Sequence, residues 1–195
     1  NDEINGLSWP THLAVLGNEI FIRDNNGVHS FNTSTKEMKF IEGSKGALKN
    51  RMVVVNNKVF VPANKSILVI EEGMDKVSET IDVKLTVSGV VKTSDGNIYV
   101  STTGTPNKIM KINATDHSII KINEISTGSL SAGWGATPDI SAKGDTIYYG
   151  SPSLRIYRHI FSTGVSEELV KVSDYVSNST MAYNNLVVNT VPVEV

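Results

Sequence analysis

Four stretches of the chain share one pattern, a polar turn rich in glycine and asparagine that runs straight into consecutive apolar, β-favouring residues. They read Gly17-Asn18-Glu19-Ile20-Phe21-Ile22, Asn56-Asn57-Lys58-Val59-Phe60-Val61, Asp95-Gly96-Asn97-Ile98-Tyr99-Val100 and Gly144-Asp145-Thr146-Ile147-Tyr148-Tyr149. Glycine and asparagine accept the positive φ of tight hairpin turns, and branched or aromatic side chains fit a pleated surface. Each copy therefore predicts a hairpin, with Asp95-Gly96 as the two-residue turn of the third. Ile20 to Val59 is 39 residues, Val59 to Ile98 is 39 again, and Ile98 to Ile147 is 49. A fixed period near 40 built from short strands is the signature of propeller blades.

Turn chemistry divides each unit into four strand-sized pieces. Unit one predicts strands at 12–15, 19–23, 28–31 and 38–41, and unit two at 52–55, 59–61, 66–70 and 76–81. Unit three predicts them at 89–92, 97–101, 108–112 and 118–122, and unit four at 137–141, 146–150, 154–157 and 168–172. Second strands are apolar at adjacent positions, which suits inner strands packed on both faces. Fourth strands alternate, as an outer edge wet on one side would. Ile20, Val59, Ile98 and Ile147 should be buried at equivalent places, with Phe21, Phe60, Tyr99 and Tyr148 on the opposite face. No helical periodicity is sustained anywhere.

The expectation is an all-β chain: one β-propeller domain, 1–195, of four-stranded antiparallel blades near 9–43, 47–82, 87–123 and 136–173, with a partial blade at 179–195. Four and a half blades would leave sheet edges unpaired, which proteins cover or pair. Three arrangements answer this: part of a larger ring, a tail that patches the seam, or a second copy joined through 181–195.

The charge balance narrows the partners. With 18 basic and 20 acidic residues, well mixed, the net charge of −2 provides no field for nucleic acid. No apolar run approaches the roughly 18 residues of a membrane span. The absence of cysteine excludes disulfides, thiolate metal sites and a cysteine nucleophile. The chain begins at Asn1 without a leader, so a mature or trimmed product is expected.

The repeats resemble the YVTN-type propeller family, which includes seven-bladed rings. Gly133-Trp134-Gly135, Ile140-Ser141-Ala142, Thr146-Ile147-Tyr148-Tyr149, Ile156-Tyr157-Arg158 and Met181-Ala182-Tyr183-Asn184-Asn185-Leu186 resemble uncharacterised surface propellers of gut-dwelling Gram-negative bacteria. That resemblance implies export to the periplasm or the outer face of the outer membrane, with a lipid anchor on a cysteine preceding this chain. It also implies, as one alternative, capture of a small nutrient such as a corrinoid or glycan for an outer-membrane transporter.

Candidate chemistry lies in the loops. Loops joining second to third strands share a face with those joining consecutive units, so Asp24, Asn25, Asn64, Thr103, Asn107 and Ser151 should gather on one side as ligand-binding residues. Binding residues concentrate on such loops because a rigid scaffold presents them. The long connection before unit four brings Trp134 there between two glycines, as either a stacking platform or a plug over the axis. Trp9 reads as a lid over the core. Asp24-Asn25-Asn26-Gly27 has the look of a partial calcium loop but lacks the closing glutamate, so it reads as a turn.

The four histidines share no metal spacing, Glu167-Glu168 reads as solvated charge, and no G-x-S-x-G or phosphate loop occurs. Asparagines 32, 64, 113 and 178 precede Ser/Thr at glycosylation spacing but read as turn caps. The expected function is a non-catalytic surface binding or scaffolding module without metal or cofactor, taking a small molecule, glycan or protein at the loop face. A propeller lyase or glycosidase is the remaining alternative.

Overall fold

A computed structural model describes residues 6–46, 51–125, 140–151 and 155–171. The described residues form sixteen strands and no helix. Unit one comprises β1 (His12–Leu16), β2 (Glu19–Arg23), β3 (Val28–Asn32) and β4 (Met38–Phe40). Unit two comprises β5 (Val53–Val55), β6 (Lys58–Pro62), β7 (Ser66–Glu71) and β8 (Glu79–Asp82). Unit three holds β9 (Thr86–Lys92), β10 (Ile98–Thr103), β11 (Asn107–Ile112) and β12 (Ile119–Ile125). Unit four holds β13 (Ile140–Lys143), β14 (Thr146–Ser151), β15 (Arg155–Ile160) and β16 (Val165–Lys171). Each unit is its own antiparallel sheet with strands in chain order.

Three hairpins turn in two residues, as their sequences predict. Gly17 has φ 56°, Asn56 and Asn57 have φ 49° and 56°, and Gly144 has φ 58°. The third hairpin departs from expectation. Thr93 N–H bonds Asn97 O at 2.8 Å, so Asp95-Gly96 belongs to a longer loop. The Asp95 carboxylate explains the extra length, because it takes hydrogen bonds from the Thr93 hydroxyl and, at 2.5 Å, from Lys111 Nζ. Gly96 still supplies the positive φ, 77°.

The predicted alternation of faces places the core. Phe21 of β2 packs with Val59 and Val61 of β6 in a layer between units one and two. Phe60, Val53 and Val69 meet Ile98, Val100 and Met110 between units two and three. Tyr99 and Ile109 meet Ile147, Tyr149 and Phe161 between units three and four. β6 and β10 are thus apolar on both faces because a neighbouring sheet covers each face. Ile20 and Tyr148 depart from the prediction: both are half-buried, each on the face of its sheet opposite the described layer. The outer strands are wet, with Ile120 50% and Leu169 45% exposed.

Several boundaries move. Expected strand 76–81 is split, because Glu42 of unit one takes the backbone of its start: Glu42 N–H bonds Asp75 O and Val77 N–H bonds Glu42 O, both at 2.8 Å. Lys76 therefore bridges to unit one and β8 begins only at Glu79. β9 starts at Thr86, earlier than expected, where Val87 N–H bonds Asn64 O at 2.9 Å. β13 runs to Lys143, two residues beyond the expected end at Ser141, and 137–139 lie outside the described residues, as does the tail 172–195. Trp9 is no lid: with φ 53° it turns away from the core and is 79% exposed. Glu167 and Glu168 are not merely solvated, since they pair across the sheet with Arg158 and Arg155.

Candidate functional site

The loop residues expected to bind are dispersed in role. Asp24 is fully buried and spent on its own turn, where Oδ1 accepts from Asn26 and Gly27 N–H and Oδ2 from Ser8 N–H at 2.8–3.0 Å. Burial works against its charge, but these three backbone bonds outweigh that and hold the carboxyl below its usual range. His29 Nε2 lies 3.2 Å from Asp24 Oδ2 without the alignment of a hydrogen bond. Asn25 is exposed, and its N–H bonds Ser8 O at 2.8 Å.

Asn64 is exposed and Thr103 half-buried; the structure brings them to either side of Thr86-Val87. Asn64 O accepts from Val87 N–H, and the Thr103 hydroxyl reaches Thr86 O at 3.5 Å. Asn107 Oδ1 accepts Gly104 N–H at 3.0 Å, which closes their loop. Ser151 ends β14 opposite Arg155, and its side chain, like all of Trp134, lies outside the described residues. The sequon asparagines 32 and 113 cap turns, each accepting two following backbone N–H groups.

The concave feature lies elsewhere. The first strands of the four units stand next to one another in order, β1 beside β5, β5 beside β9 and β9 beside β13. Together they line one cavity of about 610 Å³. Its wall is aliphatic along the middle: Ala14 from β1, Met52, Val53 and Val54 at β5, Val91 from β9 and Ala142 from β13. Its charged members are Arg51 ahead of β5, Lys92 at the end of β9 and Lys143 at the end of β13. No carboxylate stands among the described lining residues.

The acids of the same two hairpins are engaged away from it. Asp95 is held by Lys111 of β11 and by Thr93, which keep its carboxyl well below the usual carboxylate range. Asp145 takes the Ser162 N–H at 2.8 Å and the Tyr99 hydroxyl at 3.4 Å, and these bonds overcome burial to lower its pKa. On both hairpins the lysine lines the cavity while the acid, which does not, bonds a partner outside it, although Asp95 also bonds the lining residue Thr93. Sequence reasoning missed Arg51, Lys92 and Lys143. The available signal was a lysine closing an otherwise apolar first strand, as in Val90-Val91-Lys92.

At the β5 end a second basic group joins Arg51. His12 stands 39 residues before it, one repeat period, and pairs with Arg23 across the β1–β2 ladder. Burial, then the charges of Arg51 and Arg23, push its pKa below the ordinary histidine value. Its Nδ1 is buried without a hydrogen-bond partner. Among the described residues no cluster of three or more histidines and carboxylates could hold a metal ion.

Four-stranded meanders whose first strands surround a common cavity define a β-propeller of about four described blades. The chain belongs to the family described as Domain of unknown function (DUF5074), which matches residues 1–195. Solved structures agree on the fold. Hydrazine synthase of Kuenenia stuttgartiensis is 16% identical with a TM-score of 0.63, over 87% of this chain and 51% of that one. BamB from Moraxella catarrhalis is 10% identical with a TM-score of 0.59, over 80% and 48%. U3-55K is 13% identical with a TM-score of 0.61, over 85% and 53%. The chain spans about half the length of these structures. No curated protein matches the sequence.

Proposed function

We propose that this propeller is a non-catalytic binding module displayed at a bacterial cell surface, and that its ligand is a small molecule held in the axial cavity. The observation that carries this reading is the cavity of about 610 Å³ lined by the first strands of all four described blades. Ligand pockets run from roughly 300 to 1,000 Å³, with apolar walls and a few placed polar groups. This wall has that composition. Surface display and the YVTN-type kinship rest on the resemblance of 133–158 and 181–186 to surface propellers. Nutrient capture is the form of binding that a cavity, rather than a flat loop face, favours.

Ligand-observed NMR against a library of small metabolites tests the reading, with hits repeated on Val54→Trp. Val54 is half-buried and lines the cavity, so an indole there should obstruct it and weaken binding. Hits undiminished by Val54→Trp in a variant that keeps its melting temperature, or a library without hits, would overturn the axial site. Protease treatment of intact cells tests display: a chain cut only after the envelope is broken is not at the surface.

A further inference from the structure

We propose that the axial cavity selects an organic anion, an apolar body bearing a carboxylate or another acidic group, recognised by Lys92, Lys143 and Arg51. The inference rests on the binding reading above and adds the ligand's charge. Three observations carry it.

First, the described lining holds three cations and no carboxylate, in a chain whose overall charge is −2. The local sign is therefore opposite to that of the whole molecule, and an apolar-walled cleft of one sign focuses the field on an incoming counter-charge. Second, the segregation is built into the hairpins. Lys92 stands three residues before Asp95 and Lys143 two before Asp145, yet neither acid is among the lining residues. Asp95 is instead drawn off by Lys111 at 2.5 Å and Asp145 by Ser162 and Tyr99. Neither lysine is therefore ion-paired with the acid of its own hairpin.

Third, the cations share the cavity with apolar surface. Arg51 precedes the start of β5 whereas Lys92 and Lys143 close the ends of β9 and β13, and Ala14, Val54, Val91 and Ala142 are among the rest of the lining. An inorganic ion would leave that surface unused, whereas an amphipathic anion covers it.

The test uses three probes with one skeleton and different charge: 2-naphthoate, 2-naphthylmethanol and 2-naphthylmethylammonium. Binding is titrated calorimetrically on the purified protein, with methyl NMR of Val54, Val91 and Ala142 as the locator. Naphthoate should bind about tenfold more tightly than the alcohol, the scale of one close charge contact near a protein surface, and the ammonium more weakly than both. The Lys92→Glu, Lys143→Glu double variant should fold normally, since both lysines are exposed, and should invert the order of naphthoate and ammonium. If the alcohol binds as well as naphthoate and the double variant changes neither, charge selection is wrong while axial binding stands. If no probe moves the three methyls, axial binding and the anion proposal fall together.

Discussion

The seam between blades 2 and 3 and the seam between blades 3 and 4 join the same kind of sheets by different chemistry. The first has an aliphatic centre, where Val53, Val69, Val87, Val90, Ile98, Val100, Met110 and Ile112 close around Phe60, all buried. Its polar contacts lie beside that centre, where His117 of blade 3 stands edge-on to Phe60 and 2.7 Å from Glu79. The second is aromatic and polar. Tyr99 lies against Phe161 at 4.8 Å, and Tyr149 stacks on Tyr157 at 5.4 Å. From the outer strand of blade 3, Asn123 Nδ2 donates to Phe161 O at 2.6 Å and lies 3.0 Å from His159 Nε2. Lys121 Nζ donates to Phe161 O and Ser162 O, and sits 5.3 Å from the Phe161 ring centroid. Aliphatic packing tolerates any partner of the right volume, whereas a buried polar seam holds only while every group is satisfied. The aliphatic centre of the first seam is the larger source of stability, and the buried amide and histidine of the second hold one geometry between its blades.

Three perturbations sharpen that contrast. The largest loss should come from Ile98→Ala in the first seam, where the side chain is fully buried: about 2–5 kcal/mol by denaturant unfolding. A loss below about 1 kcal/mol would mean that the repeat register assigned to Ile98 is wrong. Asn123→Ala should cost less, about 1–3 kcal/mol, by leaving His159 Nε2 and Phe161 O without this partner. Its hydrogen-exchange protection should fall in β15 and hold in β6 and β10. Loss spread evenly over all four blades would refute a local latch.

Acid should produce the smallest effect. Burial pushes the His159 pKa below its ordinary value, with Asp145 opposing and Lys121 assisting. The unfolded chain then takes up a proton near pH 6.5 that the folded chain refuses. Stability is therefore flat above about pH 6.5 and declines below it, by no more than about 1.4 kcal/mol per pH unit from this group. His12 shifts in the same direction, so the sensitivity of the β15 amides, compared with His159→Gln, isolates the polar seam. Equal acid sensitivity of wild type and variant would remove His159 as the cause.

How much was legible in advance follows from the range of each interaction. The 39-residue spacing, the turns at Gly17, Asn56 and Gly144, and the opposite faces of Phe60 and Val59 are local matters of backbone freedom and strand alternation. They can be read from a dozen residues at a time. The candidate site was not of that kind. Asp24 looked available in a polar loop, yet three backbone N–H groups consume it. Lys92 looked like an ordinary strand end and Lys143 fell in a turn, yet both line the cavity.

By itself the sequence determined the repeating unit, three of its four hairpin turns and which residues of each second strand lie on opposite faces, because turn propensity and the two-residue period of a strand act within one unit. Only the tertiary structure decided that four first strands enclose one cavity, that Glu42 captures the start of unit two's outer strand, and that the hairpin lysines and acids part company. These depend on groups brought together from distant repeats, Asp95 with Lys111 and Asp145 with Tyr99 among them. Packing between sheets sets those distances, and no local pattern along the chain encodes them.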